Sequence, residues 1–182
     1  MSTIPAIDAA TATPEQAAAL ADVRKALGAV PNMAKVMANS PAAVKAWLAL
    51  AGALGEGTFS AAVREQLALA TAEYNECTYC LSAHTVLAAN VGKVDAAEIQ
   101  RARKASSADP HVAALLELSD AIARNRGAVS EGELQRARAA GVTEEEIVEV
   151  VGNIALNILT NYLNILADTD NEWPAVRPLQ RA

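Results

Sequence analysis

Two cysteines and a histidine fall within eight residues of this chain: Cys77 and Cys80 in a C-x-x-C pair, then His84 four positions on. The chain has no other cysteine and one other histidine, His111. If the segment is helical, residues three, four and seven apart share one face, so both thiols and the imidazole line a single stripe. A helix start also offers free N–H groups and about half a positive charge, and both favour thiolate over thiol. Such a thiolate attacks a peroxide oxygen and becomes a sulfenic acid. The neighbouring thiol then condenses with it, giving a disulfide and water. The cycle takes up and returns protons, which suits His84 near neutral pH. Glu65 lies twelve residues before Cys77. Helix spacing alone does not bring it to the thiols, but an antiparallel helix hairpin would. Its plainer reading is a solvated helix charge paired with Arg64 or another neighbour.

The elements that must carry these residues are helices. Thr13-Pro14-Glu15-Gln16 supplies an N-cap, a proline at the first helical position and a capping-box glutamine for a helix to about Leu27, closed by Gly28. Ser40-Pro41 opens another through about Leu54, and Ser60 caps one reaching about Asn75. The thiol helix runs from Cys77 or Thr78 to Val91. Asp95-Ala96-Ala97-Glu98 reads as a further capping box. Asp109-Pro110, Ser130-Glu131-Gly132-Glu133 and Thr143-Glu144-Glu145-Glu146 open three more helices, the last reaching about Ala167. No sustained alternation or hairpin turn signals a strand. The expectation is an all-α, single-domain bundle of about seven or eight helices over residues 1–182, with irregular termini at about 1–12 and 168–182. A short helix, a turn and a longer apolar helix recur in both halves, without a strict repeat.

Hydrophobic residues make up 52% of the chain and aromatics 3%, so the core is built from Ala, Leu, Val and Ile. The net charge of -6, with no basic patch, argues against nucleic acid as a partner. The most apolar stretch, Ile154 to Ala167, is too short and too rich in asparagine for a membrane span. The first residues lack a basic segment followed by an apolar one, so a cytoplasmic protein is expected. In a reducing compartment a C-x-x-C pair points to redox or metal chemistry rather than a structural staple. Zinc would require four ligands, and only His84 and the distant His111 stand beside the thiols.

Glu65, Cys77-x-x-Cys80 and His84, within V-R-E-Q-L-A-L-A-T-A-E-Y-N-E-C-T-Y-C-L-S-A-H, resemble the alkylhydroperoxidase D-like (AhpD-like) branch of the carboxymuconolactone decarboxylase family. The ending N-I-L-T-N-Y-L-N-I-L-A-D-T-D resembles its peroxidase-related members, so the likeness extends from about residue 13 to 174. The resemblance implies an AhpD-like helical bundle and a cysteine-based alkyl hydroperoxide reductase or thiol–disulfide oxidoreductase. It makes Cys80 the peroxidatic nucleophile, Cys77 the resolving thiol, Glu65 the base and His84 a proton relay. It implies no cofactor and no metal. The substrate would be a small organic hydroperoxide, the reductant a thioredoxin-like or lipoyl-bearing protein, and the assembly a homo-oligomer, trimer or hexamer. In thioredoxin-like sites the first cysteine usually attacks, so the choice of Cys80 rests on the family alone. One departure stands out: the family has a histidine before the second cysteine, and this chain has Tyr79, whose ordinary pKa of about 10 makes it a poor proton relay.

Two other functions fit the pattern. A lyase or isomerase acting on a small carboxylate or lactone would not need the cysteines, which decarboxylase members of the family typically lack. A non-catalytic redox sensor would form the disulfide without turnover. Glu73, Tyr74 and Glu76 read as helix-end and loop residues, and Trp47 and Trp173 as packing residues. Asn153, Asn157, Asn161 and Asn164 recur at helical spacing and read first as a polar stripe at a subunit contact, second as a border of the redox pocket.

Overall fold

The computed structural model describes residues 2–179; the expected irregularity of residues 1 and 180–182 lies outside them. Among the described residues there are nine helices and no strand: α1 (Pro14–Leu27), α2 (Asn32–Met37), α3 (Pro41–Gly55), α4 (Ala61–Tyr74), α5 (Thr78–Asn90), α6 (Ala96–Ala102), α7 (Pro110–Asn125), α8 (Glu131–Ala139) and α9 (Glu144–Ala167). The all-α expectation holds. The element beyond the expected eight is α2. Its N-cap residue is Pro31, which makes no side-chain cap bond, so the usual start signal is missing from the sequence.

Capping chemistry sets most boundaries. Thr13, Ser130 and Thr143 each accept from the N–H three residues on, and Gln16, Glu133 and Glu146 reach back to complete reciprocal boxes. Asp95 forms only half of the expected box. Its side chain accepts from Glu98 N at 2.8 Å, while the Glu98 carboxylate turns instead to Arg101, Ser107 and Ala108 N in and after α6.

Helices α4 and α9 form the centre. Every residue from Gln66 to Ala72 is buried, as expected for a helix covered on all sides by α5, α7 and α9. Its alanines at 68, 70 and 72 let neighbours approach closely. Helix α9 packs on α2, α3, α4, α5 and α7. It is also long and apolar enough to cross a bilayer by length and composition, a property the shorter apolar stretch in the sequence does not suggest. Glu149 ties α9 to the α3–α4 loop by accepting from Thr58 N at 2.9 Å. A Cβ at Gly57 would lie 2.5 Å from that carboxylate, so any side chain there would push the Glu149 carboxylate aside.

The turn that positions the thiols is a Schellman motif without glycine. Glu76 takes the left-handed conformation at φ 56, its N–H donates to Glu73 O at 3.2 Å, and Cys77 N–H donates to Ala72 O at 3.0 Å. Cys77 thus closes α4 with its backbone and caps α5 with its sulfur, which accepts from Cys80 N–H at 3.3 Å. The chain reverses over three residues, so α4 and α5 run antiparallel, and Ala62 near the start of α4 lies against Gly92 past the end of α5. Residues 168–179 are irregular, as expected, yet fastened to α5: Asn171 Nδ2 and Val176 N both donate to Ser82 Oγ, at 3.0 and 2.9 Å.

Candidate active site

Cys77 occupies the N-cap of α5, Cys80 its first turn and His84 its second. Both cysteines are free and buried, Cys77 at 1% exposure and Cys80 at 3%. They differ in acidity. The Cys77 thiol, the Cys80 neighbour most responsible, donates to the Cys80 sulfur and pulls its pKa down to about 7; burial works against this, and His84, Asn164 and Asn161 assist it. The same hydrogen bond, with burial and the charge on Cys80, holds the Cys77 proton far more tightly than in a free thiol. A thiolate at Cys80 beside a protonated Cys77 is therefore the favoured state.

The α4–α5 hairpin brings Glu65 to the site. His84 Nδ1 donates to Glu65 Oε2 at 2.7 Å, and the two side chains keep 21% and 18% exposure. Burial disfavours the imidazolium, but the Glu65 carboxylate outweighs it, and the pKa of His84 is raised. Glu65 is thus not a solvated charge paired with Arg64, whose guanidinium turns to Phe59 O. The four residues singled out in the sequence come together, and the partly exposed imidazole and carboxylate mark where this cluster meets solvent.

Tyr79, at the position where the resemblance implies a histidine, faces elsewhere. Its hydroxyl donates to Glu172 Oε1 at 2.9 Å and accepts from Met33 N–H at 3.2 Å. Burial, above all, raises its pKa. It therefore joins α5 to α2 and to the C-terminal segment. His111 is remote: its ring nitrogens bond Ala140 O at 3.2 Å and Glu146 Oε1 at 2.8 Å, which leaves neither for the thiols. Glu73, at the end of α4, pairs with Arg103 at 2.7 Å.

The asparagines correct the first reading of their stripe. Asn153, Asn157, Asn161 and Asn164 are all buried inside the chain, where they cannot line a subunit contact. Asn164 Nδ2 donates to Cys80 Sγ at 3.3 Å, and Asn161 Oδ1 accepts from Asn75 Nδ2 at 2.9 Å. The outward face of α9 carries apolar residues such as Val148, Tyr162 and Leu166, and not its amides. Helical spacing shows that the asparagines share a face, but only packing shows which way it turns.

Residues 41–123, which hold Glu65, both cysteines and His84, match the family described as the carboxymuconolactone decarboxylase family. No curated protein matches the chain. Solved structures share its fold, among them the three that follow. An uncharacterized peroxidase-related protein from Ralstonia eutropha JMP134, described as an alkylhydroperoxidase AhpD core, is 22% identical with a TM-score of 0.81, covering 94% of this chain and 92% of its own. A peroxidase-related protein from Silicibacter sp. TM1040 is 22% identical at TM-score 0.76, covering 92% of each chain. A cysteine-to-alanine variant of the debrominase Bmp8, in complex with 2,3,4-tribromopyrrole, is 17% identical at TM-score 0.75, covering 93% of this chain and 91% of its own.

Proposed function

We propose that this chain, whose residues 41–123 match the carboxymuconolactone decarboxylase family and whose fold is AhpD-like, is a cysteine-based hydroperoxide reductase. The observation that carries the reading is the unequal pair: Cys80 with a lowered pKa and Cys77 with a raised one, beside an imidazole held by a carboxylate. That asymmetry supports attack by Cys80 and resolution by Cys77.

In the first step the Cys80 thiolate attacks the outer oxygen of a hydroperoxide. An S–O bond forms, the O–O bond breaks, and its electron pair leaves on the inner oxygen. The His84 imidazolium protonates that alkoxide, which departs as an alcohol. Cys77, its proton taken by the site, then attacks the sulfenic acid and releases water, leaving a Cys77–Cys80 disulfide. The two electrons given to the peroxide come back from an external dithiol, by thiol–disulfide exchange. A thioredoxin-like or lipoyl-bearing protein fits this role, in a reducing compartment such as the cytoplasm. The chemistry calls on no metal or organic cofactor.

The test is direct. Reduced protein is mixed with cumene hydroperoxide, and thiols and mass are followed. The proposal expects both thiols to be lost with one alcohol formed per chain, and turnover once dihydrolipoamide is supplied. Thiols untouched by peroxide would refute it. Turnover of a carboxylate or lactone by a variant with both cysteines changed to serine would put a lyase or isomerase in its place. A reversible disulfide with no turnover under any dithiol would make the chain a redox sensor.

A further inference from the structure

We propose that Asn161 and Asn164 form a donor–acceptor clamp that holds the O–O–H group of the hydroperoxide against Cys80. This rests on the function proposed above and names the chemical group the site selects.

The two amides lie one turn apart on α9, both buried, Asn161 completely. Asn164 spends its Nδ2 on Cys80 Sγ, at 3.3 Å. Its Oδ1 is left buried with no hydrogen-bond partner. Asn161 has the opposite deficit. Its Oδ1 accepts from Asn75 Nδ2 at 2.9 Å, and its Nδ2 is buried without a partner. The Asn161 amide lies close enough to Cys80 to help stabilise its thiolate.

Buried polar atoms are almost always paired, so each exception asks for a cause. Here one acceptor and one donor are unmatched, three residues apart, beside the same sulfur. A hydroperoxide supplies the complement: an O–H donor on its outer oxygen and lone pairs on its inner oxygen. Asn164 Oδ1 accepts the O–H and so fixes the outer oxygen for attack. Asn161 Nδ2 donates to the inner oxygen, where negative charge grows as the O–O bond breaks. The electron flow and the proton from His84 are those of the first step above. A site built to bond an O–H discriminates against reagents that lack one.

The experiment compares cumene hydroperoxide with dithiodipyridine, a thiol oxidant that has no O–O–H group. Rates of Cys80 oxidation are measured across pH and divided by each variant's own thiolate fraction, read from its ultraviolet absorbance, so that every variant is compared as thiolate. Asn161→Leu removes the donor. Asn161→Asp also removes it, while keeping the acceptor that Asn75 uses, and so covers the case in which the leucine variant does not fold. The expected result is a loss of about 10²–10³-fold with the hydroperoxide, the range for deleting one such donor, and an unchanged rate with dithiodipyridine. A wild-type hydroperoxide rate in a folded variant overturns the clamp alone, as does an equal loss with both oxidants. If the wild-type protein reacts with dithiodipyridine but with no hydroperoxide, the proposed function falls and the clamp with it.

Discussion

Glu65 Oε2 accepts from His84 Nδ1 at 2.7 Å across the α4–α5 hairpin, joining residues nineteen positions apart in sequence. With Nδ1 held, Nε2 is the nitrogen left for proton transfer. The carboxylate opposes the cost of burial and raises the pKa of His84. Removing it lets burial dominate, and the imidazolium is lost at lower pH. Glu65→Gln should therefore lower the peroxide rate by about 10²-fold at neutral pH, within the range for one acid–base group. The alkaline limb of the pH–rate profile should move toward acid. An unchanged rate and profile would leave Glu65 a structural partner only.

Cys80 titrates at about 7, against 9.0 for an ordinary thiol. Only the thiolate attacks, so the acid limb of the pH–rate profile should have its midpoint at about 7, below the alkaline limb set by His84. Asn164 donates to this sulfur at 3.3 Å and favours its charged form. Asn164→Leu should move the midpoint toward alkaline pH, and titration of the ultraviolet thiolate absorbance reads the shift. A wild-type midpoint close to 9.0 would contradict the assignment of Cys80 as the ionised member of the pair.

Tyr79 fastens α5 through Glu172 and Met33 N rather than serving the thiols. Tyr79→Phe leaves a buried N–H and a carboxylate oxygen without that partner, at a cost of about 1–3 kcal/mol. Chemical denaturation should show this loss, while the peroxide rate stays at the wild-type value. A fall in rate with no loss of stability would place the hydroxyl in the proton path after all.

Much of this was legible in the residues. The spacing of Cys77, Cys80 and His84 placed them on one helix face, because a 3.6-residue period depends on sequence alone. The capping pairs at Thr13, Ser130 and Thr143 marked their helices for a similar reason: their chemistry is local. What stayed hidden depended on non-local packing or on unusual local chemistry. Glu76 closes α4 in a left-handed conformation that glycine usually takes, so the turn carried no glycine signal. The same residue-by-residue view could not tell whether the asparagines of α9 face Cys80 or another subunit, since either direction satisfies their period. Nor could it find α2, whose start lacks a side-chain cap.

The outward face of α9 bears on assembly. Val148, Val151, Leu159, Tyr162 and Leu166 follow one another at helical spacing on the side opposite the asparagines, and Val148 and Leu166 are 71% and 69% exposed. Such a continuous apolar stripe is uncommon on an isolated subunit. Covering one large aliphatic side chain contributes about 1.5–3 kcal/mol, so several together can hold subunits in contact. We propose a homo-oligomer, trimer or hexamer, with this stripe between subunits. Light scattering should give a multiple of the 18.9 kDa subunit mass at micromolar concentration. A double substitution, Tyr162→Lys with Leu166→Lys, should reduce it to one subunit, because neither side chain packs in the subunit's own core. A monomeric wild type would refute the assembly, and an unaltered mass in the double variant would move the contact off this face.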